Sequence, residues 1–216
     1  MILVIKKMSN NKILFKKTQF LKESWSYIAP TWEEMGQICL DLGIEILENG
    51  KKFDTLITLA KGGWTWARTM ADILQVFELS SFKLSFYDSM LPGKKLAKPL
   101  LEIPLSIPLA KKRVILFDDV NDSGDSLKYA IEYLGHFGPA SITTATLFHK
   151  PQFAKIKPDF VGSETDAWIV FPHERREVID GLALKWKKIG LKTPEIRDRL
   201  IKIGLPEKEV NIFLKK

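Results

Sequence analysis

Apolar residues fall at Met35, Ile38, Cys39, Leu42, Ile46 and Leu47, the spacing of one face of a helix. Thr31 stands three residues ahead of Glu34, which predicts a capping box at its start, and Asn49-Gly50 predicts its end. Phe53 to Ala60 reads as a buried strand, Lys61-Gly62-Gly63 as a turn, and Trp64 to about Phe77 as a second helix. A further strand covers Phe82 to Tyr87, a polar basic loop runs from Asp88 to Lys98, and Leu100 to Leu109 reads as extended. Arg113 to Phe117 is a continuous apolar run of the kind buried in parallel sheets. Leu127 to Phe137 reads as a helix, Ser141 to Phe148 as a strand, and Ala167 to Phe171 as a short apolar strand.

Strand, loop, helix and strand repeated in this way predict an α/β fold with a mostly parallel sheet. Right-handed crossovers then bring the Lys61-Gly62-Gly63 turn and the segment Asp118 to Ser126 to the same carboxyl edge, where ligands bind. Beyond residue 175 the pattern changes. Thr193-Pro194 and Pro206 are helix starts and Gly204 is a stop, giving two short lysine-rich amphipathic helices. Residues 1–24 are basic and without pattern. The expected organisation is a basic segment over 1–24, a main domain over 25–175, and a C-terminal helical extension over 176–216.

Composition alters this picture little. The 216 residues are 45% hydrophobic and 27% charged, enough to bury the core of one moderate domain with a small appendage. No apolar run reaches the ~18 residues of a membrane helix. Met1 to Ile5 is too short for the apolar part of a signal peptide and is followed by lysines, so a cytoplasmic protein is expected, with Met8 a second candidate start. The single cysteine, Cys39, excludes an intramolecular disulfide and a cysteine-cluster metal site, and its place in the helical pattern marks it as packed. A net charge of +7 fits solubility, attraction of a polyanionic substrate, or nucleic-acid binding, and charge alone does not choose.

Candidate chemistry concentrates in Asp118-Asp119-Val-Asn-Asp122-Ser123-Gly124-Asp125-Ser126. The amides of a helix N-terminus, with a glycine permitting close approach and hydroxyls beside it, form a phosphate cradle. Carboxylates next to a phosphate repel it unless they face something else, such as a sugar diol, Mg²⁺ or a proton to be removed. A helix cap needs one such residue, not the three acids Asp118, Asp119 and Asp122 with two serines in this order. His136 and His149 have no second histidine or cysteine at metal-ligand spacing and read as structural. His173-Glu174 does not continue into a zinc-protease pattern. The sequon Asn121-Asp-Ser123 lies inside the phosphate loop of a chain expected in the cytoplasm and reads as coincidence.

The run Ile115 to Leu127 resembles the phosphoribosyl-pyrophosphate signature of type I phosphoribosyltransferases: four apolar residues, two acids, an apolar residue, any residue, then Asp-Ser/Thr-Gly-x-Ser/Thr. The resemblance spans roughly residues 30–175 and is specifically to hypoxanthine/xanthine/guanine enzymes. It implies the type I fold: a mostly parallel sheet flanked by helices, with a small hood and here a C-terminal helical extension. It implies that Asp118 and Asp119 face the ribose hydroxyls and their metal. Asp122, Ser123, Gly124, Asp125 and Ser126 would hold the 5-phosphate, and Asp122 would be the catalytic proton acceptor near N7 of a purine. Asp125 departs from the basic or small residue usual there, and is expected to point to solvent.

By the same resemblance, Lys61 and Gly62 belong to a pyrophosphate loop in which a basic residue precedes two glycines. Ser85 and Tyr87, with Lys94, Lys95 and Lys98, match a mobile hood that keeps water from the reacting ribose carbon. Lys150 would meet the 6-oxo group, Trp168 would stack on the base, and the Ile169 backbone would read its edge. Glu174 would stand near a second metal through water, where the family often has Asp, and a Trp at the place of His173. The metal residues implied are Asp118, Asp119 and Glu174, the cofactor Mg²⁺, the substrates phosphoribosyl pyrophosphate and a purine base, and the assembly a homodimer. Two alternatives stand beside this one. The fold can serve another base (adenine, uracil or orotate), or a nucleotide-sensing regulator can keep the loop without turnover. No helix-turn-helix or other nucleic-acid motif supports a nucleic-acid partner, and the loop keeps its three acids.

Overall fold

The computed structural model describes residues 13–21, 23–87 and 95–215, with only the backbone given for residues 86, 87 and 95–98. Helix α1, Trp32–Glu48, starts in the predicted capping box: Glu34 N–H donates to Thr31 Oγ1 at 3.1 Å and Thr31 N–H to Glu34 Oε2 at 2.7 Å. It buries Met35, Ile38, Cys39, Leu42 and Ile46, while Leu47, expected on that face, is 47% exposed. One residue past Ile46, Leu47 lies about 100° around the helix and off the stripe. Helix α2, Trp64–Ile73, packs so closely on α1 that a Cβ on Gly43 would meet Ile73. It ends well before Phe77, because Val76 N–H turns back to the Ala71 carbonyl and Gln75 takes a left-handed φ of 54°.

The main sheet has six strands in the order β4-β3-β2-β5-β6-β7. These are β2 (Thr55–Ala60), β3 (Glu78–Tyr87), β4 (Lys95–Ile103), β5 (Arg113–Asn121), β6 (Ser141–His149) and β7 (Phe160–Glu164). All neighbours are parallel except β3 and β4, the antiparallel edge. β4 begins at Lys95, inside the expected loop, and β3 starts at Glu78, before the expected Phe82. β5 buries Val114 to Phe117 completely, as a strand covered on both faces must. It continues through Asp118 and Asp119 to Asn121, so both acids stand on a strand rather than in a loop. Helix α3, Asp125–Gly135, returns over one face to a core that includes Phe82 and Leu116, and α1 and α2 cover the other.

β7 has no alternating apolar pattern. It is set by pairing with β6 and by Gly162, where a Cβ would lie 2.8 Å from the Leu147 carbonyl oxygen and 2.6 Å from Ile38. A second, two-stranded parallel sheet joins β1 (Tyr27–Ile28) to β8 (Trp168–Ile169). The C-terminal region holds three helices where two were expected: α4 (Arg175–Lys188), α5 (Thr193–Ile203) and α6 (Glu207–Phe213). With Phe20 and Tyr27 they enclose their own core around the fully buried Trp186. The segment expected to lack pattern is tied in there. Thr18 pairs with Tyr27, and the Glu23 carboxylate accepts from Trp186 Nε1 at 2.7 Å and Lys185 Nζ at 2.6 Å. The Glu23 side chain is 5% exposed, and although burial raises its pKa, these donors outweigh burial and hold it below the usual range.

Candidate functional site

Parallel pairing of β2 with β5 sets Thr58 beside Phe117, so the turn after β2 and the acids at the end of β5 meet at one edge. There the chain encloses a cavity of about 250 Å³. Gly62, Asp118, Asp119, Asp122, Ser123, Gly124 and Ser126 all line it, the two segments that the sequence assigned to one edge. Gly124 caps α3 in the left-handed region at φ 82°, where a Cβ would also crowd Ile156 and the amide of Lys155. Ser123, Ser126 and the first amides of α3 stand around this turn. Such an N-terminus, with its positive dipole end, suits a phosphate.

Asp125 does not point into free solvent. Its carboxylate accepts from Lys155 Nζ at 2.8 Å and from Ser123 Oγ at 3.1 Å. Lys155 thereby offsets the extra negative charge beside the cradle. Asn121, the sequon residue, is buried: its Nδ2 donates to the Ile156 carbonyl at 2.7 Å and lies 3.0 Å from His149 Nδ1. Asn121 and His149 thus fasten the 155–156 segment over the loop, which accounts for His149 structurally.

The glycine turn lies against the acids. The peptide bond between Ala60 and Lys61 is cis. A Cβ on Gly62 would stand 2.6 Å from Asp119 Oδ2, and one on Gly63 would overlap Thr58 Oγ1. Lys61 reaches outward to Glu177 at 3.6 Å. Asp118 accepts the Asp119 N–H at 3.1 Å. Burial, and then the charge of Asp119, push the Asp118 carboxyl well above the ordinary carboxylate range. Burial and the same neighbour raise Glu174.

Of the three expected metal residues, Asp119 and Glu174 converge, and the third member of the group is His173 rather than Asp118. One donor atom from each of Asp119, His173 and Glu174 lies within 4.8 Å of the others. Two carboxylates and an imidazole turned toward one point fit a divalent cation. His173 carried only a weak signal in the sequence, a histidine where the resembling family often has Trp.

At the mouth, Lys150 is almost fully buried, and its Nζ donates to Asp122 Oδ2 at 3.0 Å while standing 6.0 Å from the Trp168 ring centroid. Trp168 is 44% exposed, with Trp25 against it at 5.8 Å. Nothing in the pattern of residues 1–24 and their junction with β1 pointed to Trp25. Trp168 and Val170 donate their N–H groups to Ser26 and Ile28, so strand alternation turns the Ile169 N–H away from β1. Of the hood residues, Ser85 is described in β3, Tyr87 and Lys95 are described by backbone alone, and Lys94 lies outside the described residues, as does the Lys98 side chain. No helix among the described residues is long and apolar enough to cross a membrane.

Residues 30–175 match the family model for the phosphoribosyl transferase domain. The hypoxanthine-guanine phosphoribosyltransferase of Bacillus subtilis (strain 168) is 29% identical over 146 residues, 64% of this chain and 78% of that protein. The hypoxanthine-guanine phosphoribosyltransferase of Dictyostelium discoideum is 26% identical over 136 residues, 59% of this chain and 73% of that protein. Among solved structures, the purine phosphoribosyltransferase from Pyrococcus horikoshii Ot3 is 31% identical, with a TM-score of 0.59 over 68% of this chain and 92% of that one. With the signature on β5 and α3, the glycine turn beside it and these matches, the chain belongs to the phosphoribosyl transferase domain family and is an enzyme of the phosphoribosyltransferase type.

Proposed function

We propose that the protein is a purine phosphoribosyltransferase that makes a nucleoside 5'-monophosphate and pyrophosphate from 5-phosphoribosyl 1-pyrophosphate and a 6-oxopurine, in purine salvage. The observation that carries the choice of base is the placing of Lys150 between Asp122 and Trp168. On a 6-oxopurine the 6-oxo oxygen and N7 share one edge. A cation beside a carboxylate matches that edge, donor to oxygen and acceptor to a protonated N7, with an indole to stack on the ring. A uracil or orotate site has no such edge to read. Two relatives named as hypoxanthine-guanine enzymes support the same reading.

In this reading the cradle of Ser123, Gly124 and Ser126 binds the 5-phosphate, and Lys61 and Gly62 take the pyrophosphate. Asp118 and Asp119 hold the ribose hydroxyls. A ring nitrogen of the base bonds to C1 of ribose as the bond from C1 to pyrophosphate breaks and its electron pair leaves with the diphosphate. The proton lost by the base passes to Asp122, with the Ile169 backbone and Trp168 fixing the ring's plane. Asp118, Asp119 and Glu174 would hold Mg²⁺, which would supply neutralisation of the leaving charge. The hood of Ser85, Tyr87, Lys94 and Lys95 excludes water from the developing cation at C1. A cytoplasmic homodimer is part of the same reading and rests on family resemblance.

The test is pyrophosphate release with Mg²⁺ and phosphoribosyl pyrophosphate, run separately with hypoxanthine, guanine, xanthine, adenine, uracil and orotate. Turnover with an oxopurine supports the base site. Turnover with adenine, uracil or orotate alone refutes it while leaving the family intact.

A further inference from the structure

His173 is a buried imidazole with no hydrogen bond. Its side chain is 10% exposed, and neither Nδ1 nor Nε2 has a hydrogen-bond partner. Leaving a buried polar atom unpaired is costly, so such an atom in a folded protein calls for a ligand or a role. The ring is clamped flat on Phe171, with centroids 5.3 Å apart and planes 25° from parallel, and tilted against Trp32 at 6.3 Å. That packing aims its Nε2 edge at Asp119 Oδ2, 3.7 Å away, too far for a hydrogen bond and close enough for two ligands of one ion. Glu174, at the start of α4, completes the set.

We propose that Asp119, His173 and Glu174 form a site for a first-row transition ion of the Mn²⁺, Fe²⁺ or Zn²⁺ class, which the protein prefers to Mg²⁺. The inference deepens the phosphoribosyltransferase reading, since Asp119 and Glu174 serve the leaving group there. The discriminating donor is the imidazole. Mg²⁺ keeps waters and takes one or two carboxylates, whereas a nitrogen ligand favours the transition series. Two carboxylates and one imidazole supply three donors and leave open coordination positions, as a site that also receives a diphosphate requires. Gly62, with its missing Cβ against Asp119, keeps that approach clear.

The experiment uses the full chain without substrate and Mn²⁺ as the probe. Pulsed electron paramagnetic resonance of the bound Mn²⁺ reads directly whether a nitrogen is coordinated. The expected result is about one Mn²⁺ per chain with a nitrogen coupling that changes when histidine is ¹⁵N-labelled, and at least about tenfold more Mg²⁺ than Mn²⁺ needed for half displacement. His173→Phe keeps a ring between Phe171 and Trp32 and removes the donor. It should abolish the nitrogen coupling and weaken Mn²⁺ about 10–100-fold, with Mg²⁺ affinity changed much less. Bound Mn²⁺ without nitrogen coupling, no Mn²⁺ bound at submillimolar concentration, or an unchanged preference in His173→Phe overturns the proposal. Should the variant not fold, the coupling in the unaltered chain decides alone. Because no substrate enters, the two readings fail separately: coupling without turnover on any base sinks the proposed function, and turnover without coupling sinks this site.

Discussion

Gly62→Ala isolates the close approach between the glycine turn and the buried acid. Gly62 has no left-handed φ, so the backbone admits alanine, and the only obstacle is space. The new Cβ would sit 2.6 Å from Asp119 Oδ2 and 3.0 Å from its Cγ and Oδ1. Restoring an ordinary contact of 3.4 Å needs 3.4 − 2.6, about 0.8 Å of carboxylate movement. The carboxylate is the end of a short side chain and can turn, so the folding cost stays near the low end of the ~1–3 kcal/mol of overpacking. Catalysis is less forgiving, because a misplacement of ~1 Å at a reacting centre costs up to ~10²-fold. We expect kcat/KM for pyrophosphate release to fall about 10–100-fold, ~1.4–2.7 kcal/mol of transition-state stabilisation, with the thermal midpoint lowered only slightly. Gly36→Ala, with nothing within 4 Å of its Cβ on α1, is the control and should leave activity unchanged. Activity of Gly62→Ala within twofold of the unaltered enzyme would show that the approach does not require glycine.

Asp122→Ala should retain phosphoribosyl pyrophosphate binding by calorimetry while kcat falls ~10²–10⁴-fold, the usual worth of general-base assistance; an unchanged kcat removes Asp122 from that role. Glu23→Gln should destabilise the chain by about 1–3 kcal/mol in urea titrations, because Trp186 Nε1 and Lys185 lose a charged acceptor. Since Glu23 is held below its ordinary pKa of 4.5 when folded, its contribution is present above that pH and disappears as pH falls through the folded value. The gap between the two proteins should therefore close on acidification, and a gap constant with pH refutes the linkage. Burial pushes the Cys39 thiol up to about 12, so native protein at pH 8 should resist a thiol reagent that labels it quickly in denaturant; prompt native labelling would contradict the packing.

Periodicity and local chemistry were enough for α1 with its capping box, for the buried apolar β5, and for the meeting of the glycine turn and the Asp118–Ser126 segment at one sheet edge. These features depend on neighbours in sequence or on the handedness of parallel crossovers, both of which the residue order carries. The turn from β5 into α3 was equally legible, because a strand ending in acids followed by Ser-Gly at a helix start is a local arrangement.

What the tertiary structure alone decided has partners distant in sequence. β7 exists through its register with β6 and a glycine at a crowded contact, with no apolar alternation to announce it. Asp125 looked exposed until Lys155, thirty residues on, closed over it. Glu23 looked like one more charge in a basic segment, yet it sits buried under α4, 163 residues from the indole it holds. His173 stood in a His-Glu pair that does not continue into a zinc-protease pattern. It became a candidate ligand when the main sheet brought Asp119 to its ring edge while Phe171 and Trp32 fixed the ring's plane. Local sequence sets which conformations a segment prefers, but a charge or an imidazole acquires its partner only when burial excludes water and packing chooses what replaces it.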